Sequence, residues 1–285
     1  MMSTTGHVPG TKDTIPRALT IAGSDSGAGA GIQADLKTFA ALGVYGLSAL
    51  TAITAQNTSG VRAALDLPPE LIEAQIDAVL EDIGADAAKT GMLSSPAIIE
   101  AVAGRVRKWK LRLVVDPVMR AKGGDPLLQP DAVVILCSAL LPLAEVITPN
   151  LPEAEVLTGQ RIETLDDMRR AAQIIHEQGP RHVVVKGGHR TTDPVDVYFD
   201  GSRFVELRAE RIQTPHTHGT GCTFSAAITA FLARGFPVEK AVAEAKRYVT
   251  EAIRHAPGLG HGHGPIGHFW LWETPASISQ KVDSA

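Results

Sequence analysis

Residues 18–42 read ALTIAGSDSGAGAGIQADLKTFAAL, and this stretch contains a strand, a glycine-rich loop and a helix in succession. Residues 18–22 are a short apolar run of the kind that forms a buried strand. Residues 30–42 place their large apolar side chains on one helical face, and Gly43 stands where a helix C-cap belongs. A strand followed by its covering helix predicts the first βα unit of an α/β fold.

The same alternation continues to about residue 256. Further buried strands are predicted at 47–55, 113–115, 145–147 and 182–185, and further amphipathic helices at 164–178 and 223–234. This order predicts a mostly parallel sheet with helices on both sides. Two segments instead alternate apolar and polar residues, 61–67 and 195–210, and the second contains the hairpin signal Asp200-Gly201. We expect both as antiparallel additions at a sheet edge.

Composition limits the domain organisation and the class of protein. The 285-residue chain is 44% hydrophobic and 20% charged, without an internal repeat or a long linker. We therefore predict one domain at residues 17–272, with polar tails at 1–16 and 273–285. The net charge of -4 does not favour a nucleic-acid partner. Two cysteines, no signal-peptide pattern and no apolar run of about 18 residues predict a cytoplasmic protein without a membrane partner.

The loop His218-Gly219-Thr220-Gly221-Cys222 comes directly before an amphipathic helix. Glycines let successive backbone N–H groups converge, and the helix N-terminus adds about half a positive charge. The loop is therefore expected to bind a phosphate or a phosphoryl group in transfer. The same field should favour the thiolate form of Cys222. The alternative is a glycine turn that only starts a helix, with a cysteine that only packs.

The glycine-rich loop after the first strand has two functional interpretations. Residues 29–34 match the G-x-G-x-x-A dinucleotide fingerprint, which keeps a dehydrogenase open. However, that fingerprint expects an acid after the next strand to bind the ribose, and this chain has Ala55-Gln56-Asn57-Thr58 there. In the second interpretation the loop closes over a small substrate, and Asp35 reaches back towards it from the first helical turn.

Polar side chains follow four predicted strands, at Lys89-Thr90-Gly91-Met92, Asp116-Pro117-Val118-Met119, residues 148–153 and Lys186-Gly187-Gly188-His189. Strand ends in open α/β sheets share one edge, so these segments and the two glycine loops are expected to form one site. No Gly-Lys dipeptide occurs, which excludes a Walker loop. Asp116 and Glu153 supply oxygen ligands suited to magnesium, and Lys186 supplies a cation for phosphate charge. The histidine pairs at 216/218 and 261/263 lack further ligands at metal-binding spacing, so no structural metal is expected.

A series of these motifs resembles the bacterial hydroxymethylpyrimidine/phosphomethylpyrimidine kinases of thiamine biosynthesis, in order from about residue 18 to 270. The motifs are residues 22–25, 29–35, 55–58, 91–93, 116–119, 147–153, 186–189 and 218–222. The resemblance implies a ribokinase-like three-layer fold and two ATP-dependent steps. The first phosphorylates 4-amino-5-hydroxymethyl-2-methylpyrimidine, and the second converts the monophosphate to the diphosphate. It also implies a homodimer.

The resemblance also implies roles for individual residues. Gln56 would hydrogen-bond the aminopyrimidine edge, and the residues around the ring would be Gly23, Asp35, Met92 and Val118. The anion hole would comprise Gly219, Thr220, Gly221 and Cys222, with Cys222 as the base of the first step. Mg-ATP would be held by Asn150, Glu153 and Lys186, with Asp116 as a second magnesium ligand.

Two departures from family patterns refine the resemblance. Sugar kinases of this superfamily usually carry an aspartate base where this chain has Cys222, which favours the pyrimidine kinase branch. Residues 24–28 read SDSGA instead of the Asp-Pro-Ser-Gly-Gly form associated with that branch. A pyridoxal kinase and a non-catalytic ligand-binding protein remain as alternatives.

Overall fold

The first βα unit forms where the sequence predicts it. The computed structural model describes residues 15–120, 124, 127–188 and 194–272. Strand β1 spans Arg17–Ser24 and helix α1 spans Gly31–Ala41. Gly31 has φ +57°, and a Cβ there would lie 2.4 Å from the carbonyl oxygen of Gly23. Only glycine fits this sharp turn from strand into helix.

The other elements follow in alternation. The strands are β2 Tyr45–Asn57, β3 Gly60–Asp66, β4 Ala87–Thr90, β5 Leu113–Val115, β6 Ala144–Ile147, β7 His182–Val185, β8 Val195–Phe199 and β9 Phe204–Arg208. The helices are α2 Pro69–Asp82, α3 Pro96–Trp109, α4 Ala132–Ile135, α5 Leu151–Thr158, α6 Leu165–Glu177, α7 Thr220–Ala233 and α8 Val238–Arg254. Helix α4 continues into a π-helical turn at Leu136–Leu140 and a 3-10 turn at Leu141–Leu143.

The described strands form one sheet in the order β3-β2-β1-β4-β5-β6-β7-β8-β9. Strands β2, β1, β4, β5, β6 and β7 run parallel, while β3 pairs antiparallel with β2 and β8 pairs antiparallel with β7 and β9. The predicted antiparallel additions are confirmed, one at each edge. All six parallel strands therefore present their carboxyl ends at the same edge of the sheet.

Helices cover both faces, because successive side chains of each strand point to opposite sides. Leu19 and Ile21 of β1 join a buried cluster with α2, α3, α5 and α6. Ala18 joins a second cluster with α1, α7 and α8, in which Phe39 and Phe224 are large members. Burying one such leucine or phenylalanine contributes at most about 1.5–3 kcal/mol. The two clusters hold the sheet rigidly between helical layers.

Local signals place most helix ends. Thr164 caps α6 and forms a capping box with Asp167, as the predicted threonine cap requires. Helix α7 begins at Thr220 instead of the predicted residue 223, because Gly219 adopts a left-handed conformation with φ +79° and serves as its N-cap. The glycine loop thus continues directly into the helix.

Several expectations concern residues 1–14 and 273–285, which lie outside the described residues. The prediction of one domain with two tails therefore stays a prediction. Within the described part of the chain, no helix is long and apolar enough to cross a membrane.

Candidate active site

The two glycine loops meet at the carboxyl edge of the parallel strands. A Cβ on Gly219 would lie 1.7 Å from the carbonyl oxygen of Gly29, and a Cβ on Gly29 would lie 2.3 Å from Cδ2 of His218. Side chains at either glycine would therefore force the loops apart. The sequence prediction that both loops contribute to one region is confirmed by this contact.

The loop at the start of α7 has the geometry of an anion site. Gly219 is the N-cap, so Thr220, Gly221 and Cys222 occupy the first helical turn, where backbone N–H groups have no partner within the helix. The Thr220 hydroxyl donates to the carbonyl oxygen of Thr217 at 2.7 Å, which fixes the loop. The N–H groups and the helix dipole together favour a negative group at this point.

Charged side chains lie beside this turn. Lys186 donates to Asp116 at 3.1 Å, and a Cβ on Gly221 would lie 3.3 Å from the Lys186 nitrogen. Asp116 is 2% exposed and also accepts from the Thr148 hydroxyl at 3.4 Å. The ammonium group of Lys186 is thus held beside the first turn of α7, and its role as a cation for phosphate charge stays a prediction.

Asn150 and Glu153 have a local structural function as well as their predicted ligand roles. The Asn150 side chain accepts from the Glu153 backbone at 2.9 Å, and the Glu153 carboxyl accepts from the Asn150 backbone at 2.8 Å, which forms a capping box at the start of α5. The backbone of Asn150 also forms an isolated β-bridge with Lys186, the residue directly after β7. The box therefore fixes Glu153 near the charged cluster.

A magnesium ion fits the charges of this cluster. Burial, together with the charge of Asp116, raises the pKa of Glu153 to about 7, although Lys186 opposes the shift. A divalent cation would offset this negative charge, and carboxylate oxygens suit magnesium. Within the described part of the chain, no three His, Cys, Asp or Glu side chains lie close enough to hold a metal. Nucleotide phosphates and water would therefore have to complete its coordination.

The structure corrects the predicted ionisation of Cys222. Burial raises the pKa of its thiol to about 12, although Lys89 and a hydrogen bond from the Gly31 backbone act in the opposite direction. The residue is half-buried, and the nearby charges of Asp35 and Asp116 also act to raise the pKa of its thiol. The helix N-terminus does not outweigh this loss of hydration, so the ligand-free protein holds a thiol and not the predicted thiolate.

Asp35 also differs from its prediction. Its side chain has no exposed surface, and its Oδ2 accepts from Lys89 at 2.9 Å and from Thr20 at 2.6 Å. Burial raises the pKa of Asp35, against the attraction of Lys89. The carboxylate thus reaches a lysine inside the fold instead of the predicted substrate pocket, because a buried carboxylate requires a nearby cation.

The remaining predicted pocket residues lie on neighbouring elements. A Cβ on Gly23 would lie 3.2 Å from Cε of Met92, so these two residues are in contact. Val118 follows Asp116 at the end of β5 and lines a small cavity there with Thr90 and Gly91.

Gln56 lies at the end of β2, where its backbone exchanges two hydrogen bonds with the hydroxyl of Ser26. Its side-chain amide lies 3.3 Å from Nε2 of His218 and 3.4 Å from the hydroxyl of Thr54. This position brings Gln56 to both glycine loops.

Sequence reasoning placed Lys89, Asp25 and His218 inside site motifs but assigned no individual role to any of them. Lys89 lies inside β4 and is fully buried, whereas it was predicted to follow the strand. Asp25 accepts three backbone N–H groups of its own glycine loop and contacts His218 at 2.9 Å. An acid inside a glycine-rich turn was the available signal for Asp25. His189 of the fourth strand-end motif lies outside the described residues.

Known proteins share this architecture and sequence. Residues 25–267 match the family model described as Phosphomethylpyrimidine kinase. The hydroxymethylpyrimidine/phosphomethylpyrimidine kinase of Bacillus subtilis (strain 168) is 51% identical over 259 residues, which are 90% of this chain and 96% of that protein.

Two solved structures are similar throughout. An ADP complex of Bacillus subtilis pyridoxal kinase has a TM-score of 0.86 and 45% identity, covering 92% of this chain and 100% of that one. The phosphomethylpyrimidine kinase of Clostridium difficile 630 has a TM-score of 0.75 and 49% identity, covering 83% and 99%. The three-layer fold is ribokinase-like, as the resemblance implied, and the chain belongs to the phosphomethylpyrimidine kinase family.

Proposed function

We propose that this chain is an ATP-dependent kinase that phosphorylates 4-amino-5-hydroxymethyl-2-methylpyrimidine and then phosphorylates the resulting monophosphate to the diphosphate. One observation carries this proposal. The first turn of α7 lies next to Lys186, beside the buried carboxyl groups of Asp116 and Glu153. The family and the 51% identity to a kinase named for both steps support the pyrimidine substrates.

The anion loop would act on the phosphoryl group in transfer. In each step the acceptor oxygen bonds to the γ-phosphorus of ATP, the bond to the β-γ bridging oxygen breaks, and ADP leaves. Charge on the moving group would be stabilised by the backbone N–H groups of Gly221 and Cys222 and by the ammonium of Lys186. These groups are already in place, so little reorganisation is needed when charge develops.

Asn150, Glu153 and Asp116 form the side of the site next to this loop. Glu153 and Asp116 would hold magnesium in part through water, and the bound ion would neutralise phosphate charge. Glu153 already accepts backbone hydrogen bonds, and ionising it fully requires a cation, because its pKa is raised to about 7.

The acceptor alcohol must lose a proton in the first step only, because the second acceptor is an ionised phosphate. Cys222 would take that proton as a thiolate, but it is a thiol in the ligand-free protein, so it must first release its own proton to water as the substrate binds. Lys89 lowers the pKa of Cys222 and Lys186 interacts with it electrostatically, so both would assist this ionisation.

The substrate ring would lie between the end of β2 and the loops after β1 and β4. Gln56 would hydrogen-bond the aminopyrimidine edge, and Gly23, Met92 and Val118 would contact the ring. Asp35 would act indirectly, by holding Lys89 near Cys222. Magnesium as cofactor and a cytoplasmic location remain predictions from the sequence, and a homodimer remains a prediction of the resemblance.

A substrate panel tests the proposal. Purified protein with Mg-ATP should release ADP with the hydroxymethylpyrimidine and with its monophosphate, and both should exceed pyridoxal in kcat/KM. Phosphorylation of pyridoxal alone would establish the second candidate, a pyridoxal kinase, which is supported by 45% identity to the Bacillus subtilis enzyme of that name. No ADP release with any of the three would contradict a kinase of either kind.

A further inference from the structure

The proton on Nε2 of His218 can be assigned from its neighbours. Nε2 lies 2.9 Å from Oδ2 of Asp25, and both residues are buried, at 8% and 3% exposure. The two Asp25 oxygens also accept from the backbones of Gly27, Gly29 and Ala30 at 2.8, 3.1 and 2.8 Å. Three donors to one carboxyl group indicate an ionised acceptor, so the imidazole must donate through Nε2 whether the ring is neutral or protonated.

This proton determines which end of the Gln56 amide can face the ring. An amide nitrogen 3.3 Å from a protonated Nε2 would oppose two donors, so the atom facing His218 must be the amide oxygen. At the other end, the Thr54 hydroxyl gives its hydrogen to the Ser24 carbonyl oxygen at 2.8 Å and has lone pairs left to accept. The Gln56 nitrogen therefore belongs 3.4 Å from Thr54, where it can donate.

The result is a consistent set of hydrogen bonds from the Ser24 carbonyl oxygen through Thr54 and Gln56 to His218. The single hydrogen on Nε2 of His218 points mainly to the Asp25 carboxylate at 2.9 Å and is shared, in a three-centre bond, with the Gln56 amide oxygen at 3.3 Å. Reversing the Gln56 amide would place two donors together at His218 and leave Thr54 without the N–H it can accept. Because Gln56 is only partly buried, a polar conflict of this kind weakens the reversed state by about tenfold.

The imidazole is also prevented from moving away. A Cβ on Gly29 would lie 2.3 Å from His218 Cδ2, so the ring packs directly against the glycine backbone. The His218 backbone donates to the Gly264 carbonyl oxygen at 3.0 Å, which fixes the residue from the other side. The imidazole of His218 is therefore held in one position between Asp25 and Gln56.

We propose that Asp25 and His218 are specificity-determining positioning residues, which lock the Gln56 carboxamide with its oxygen towards His218. This proposal rests on the proposed function, in which Gln56 meets the aminopyrimidine edge. The lock uses one lone pair and one N–H of the amide and leaves one of each for substrate. An amide that cannot reverse presents its donor and acceptor to a ring in one order only.

The order matters because the two candidate substrates differ next to the hydroxymethyl group. The pyrimidine carries an amine there, which donates, whereas pyridoxal carries an aldehyde, which accepts. A locked amide oxygen suits only one of these, while a free amide can rotate to suit either. Removing the lock should therefore reduce the preference for the pyrimidine, and it should do so through binding more than through turnover.

Two variants of His218 separate the lock from a merely structural role. His218→Leu removes the donor, and His218→Gln keeps an N–H near the position of Nε2. For the first step, we expect His218→Leu to raise KM for the pyrimidine about tenfold or more with a smaller change in kcat. The ratio of dissociation constants for pyridoxal and the pyrimidine should fall by a similar factor. His218→Gln should bring both the KM for the pyrimidine and the ratio of dissociation constants most of the way back to the wild-type values.

Three outcomes would overturn the lock. One is an unchanged ratio of dissociation constants in folded His218→Leu protein. Another is an equal loss of kcat with both substrates, which would indicate a distorted anion loop only. The third comes from nitrogen-15 NMR of histidine-labelled wild-type protein, in which an Nε2 of His218 without a proton would contradict the assignment even if the variants do not fold. Failure of the wild type to phosphorylate the pyrimidine would instead reject the proposed function, and the NMR result would still test the lock.

Discussion

The buried pair of Lys89 and Asp35 predicts a large loss of stability when the lysine is removed. Both side chains have no exposed surface and their charged atoms lie 2.9 Å apart. Lys89→Met keeps the length of the side chain but leaves the Asp35 carboxylate with only the Thr20 hydroxyl, since its other oxygen already lacks a partner. Breaking such a pair from one side costs about 3–5 kcal/mol.

The assay is equilibrium unfolding in urea at pH 7, with Lys108→Met as a matched control. Lys108 contacts Asp77 at 3.0 Å but is about half exposed, so its loss should cost less than about 1 kcal/mol. The double variant Lys89→Met/Asp35→Asn should be more stable than Lys89→Met, because it removes the uncompensated charge. A cost for Lys89→Met no larger than that of Lys108→Met would refute the argument.

The pH dependence gives an independent check on the same variant. Burial raises the pKa of Asp35, and loss of Lys89 should raise it further. The folded variant would then bind a proton that the unfolded chain releases above about pH 4. Its free energy of unfolding should therefore fall as pH rises, and the cost of Lys89→Met should shrink at low pH. A cost that does not change with pH would place the effect in packing and not in charge.

Two further predictions concern the phosphoryl-transfer site. Cys222→Ala should reduce the rate of the first step much more than the rate of the second, and equal losses in separate assays of the two steps would contradict a base role. Because the pKa of the Cys222 thiol is raised to about 12, wild-type kcat/KM for the first step should keep rising up to pH 9. Glu153→Gln should raise the magnesium concentration needed for activity. The pKa of Glu153 is about 7 in the folded protein, which is above its value in the unfolded chain. The free energy of unfolding of the wild type should therefore fall by about 1 kcal/mol or more as the pH rises from about 5 to 7. Glu153→Gln should not show this fall. Magnesium titrations and unfolding curves that coincide for the two proteins would contradict this assignment.

Periodicity and strand-end motifs predicted the sheet, both helical layers and the edge at which the polar residues meet. They succeed because they depend on burial and on glycine, which the sequence displays directly. The order of the strands in the sheet, by contrast, cannot be read directly from the sequence. Strand β4 pairs with β1, so that Thr20 lies opposite Lys89. This register places the Lys89 side chain in contact with Asp35.

The error at Cys222 and the missed contact between Asp25 and His218 share one cause. The helix field at Cys222 is visible in the sequence, but its desolvation depends on what covers the sulfur. Likewise, Asp25 and His218 are 193 residues apart, so their contact depends on how two loops pack. Sequence reasoning identified the segments of the site, whereas the sign of a pKa shift and the direction of a hydrogen bond required tertiary structure.

The most direct test of the central claim is a phosphorus-31 NMR time course of purified protein with the hydroxymethylpyrimidine and Mg-ATP. We predict that the monophosphate signal appears first and is then replaced by signals of the diphosphate, with two ATP consumed for each pyrimidine. A time course in which the pyrimidine acquires no phosphate, while pyridoxal does under the same conditions, would contradict the claim.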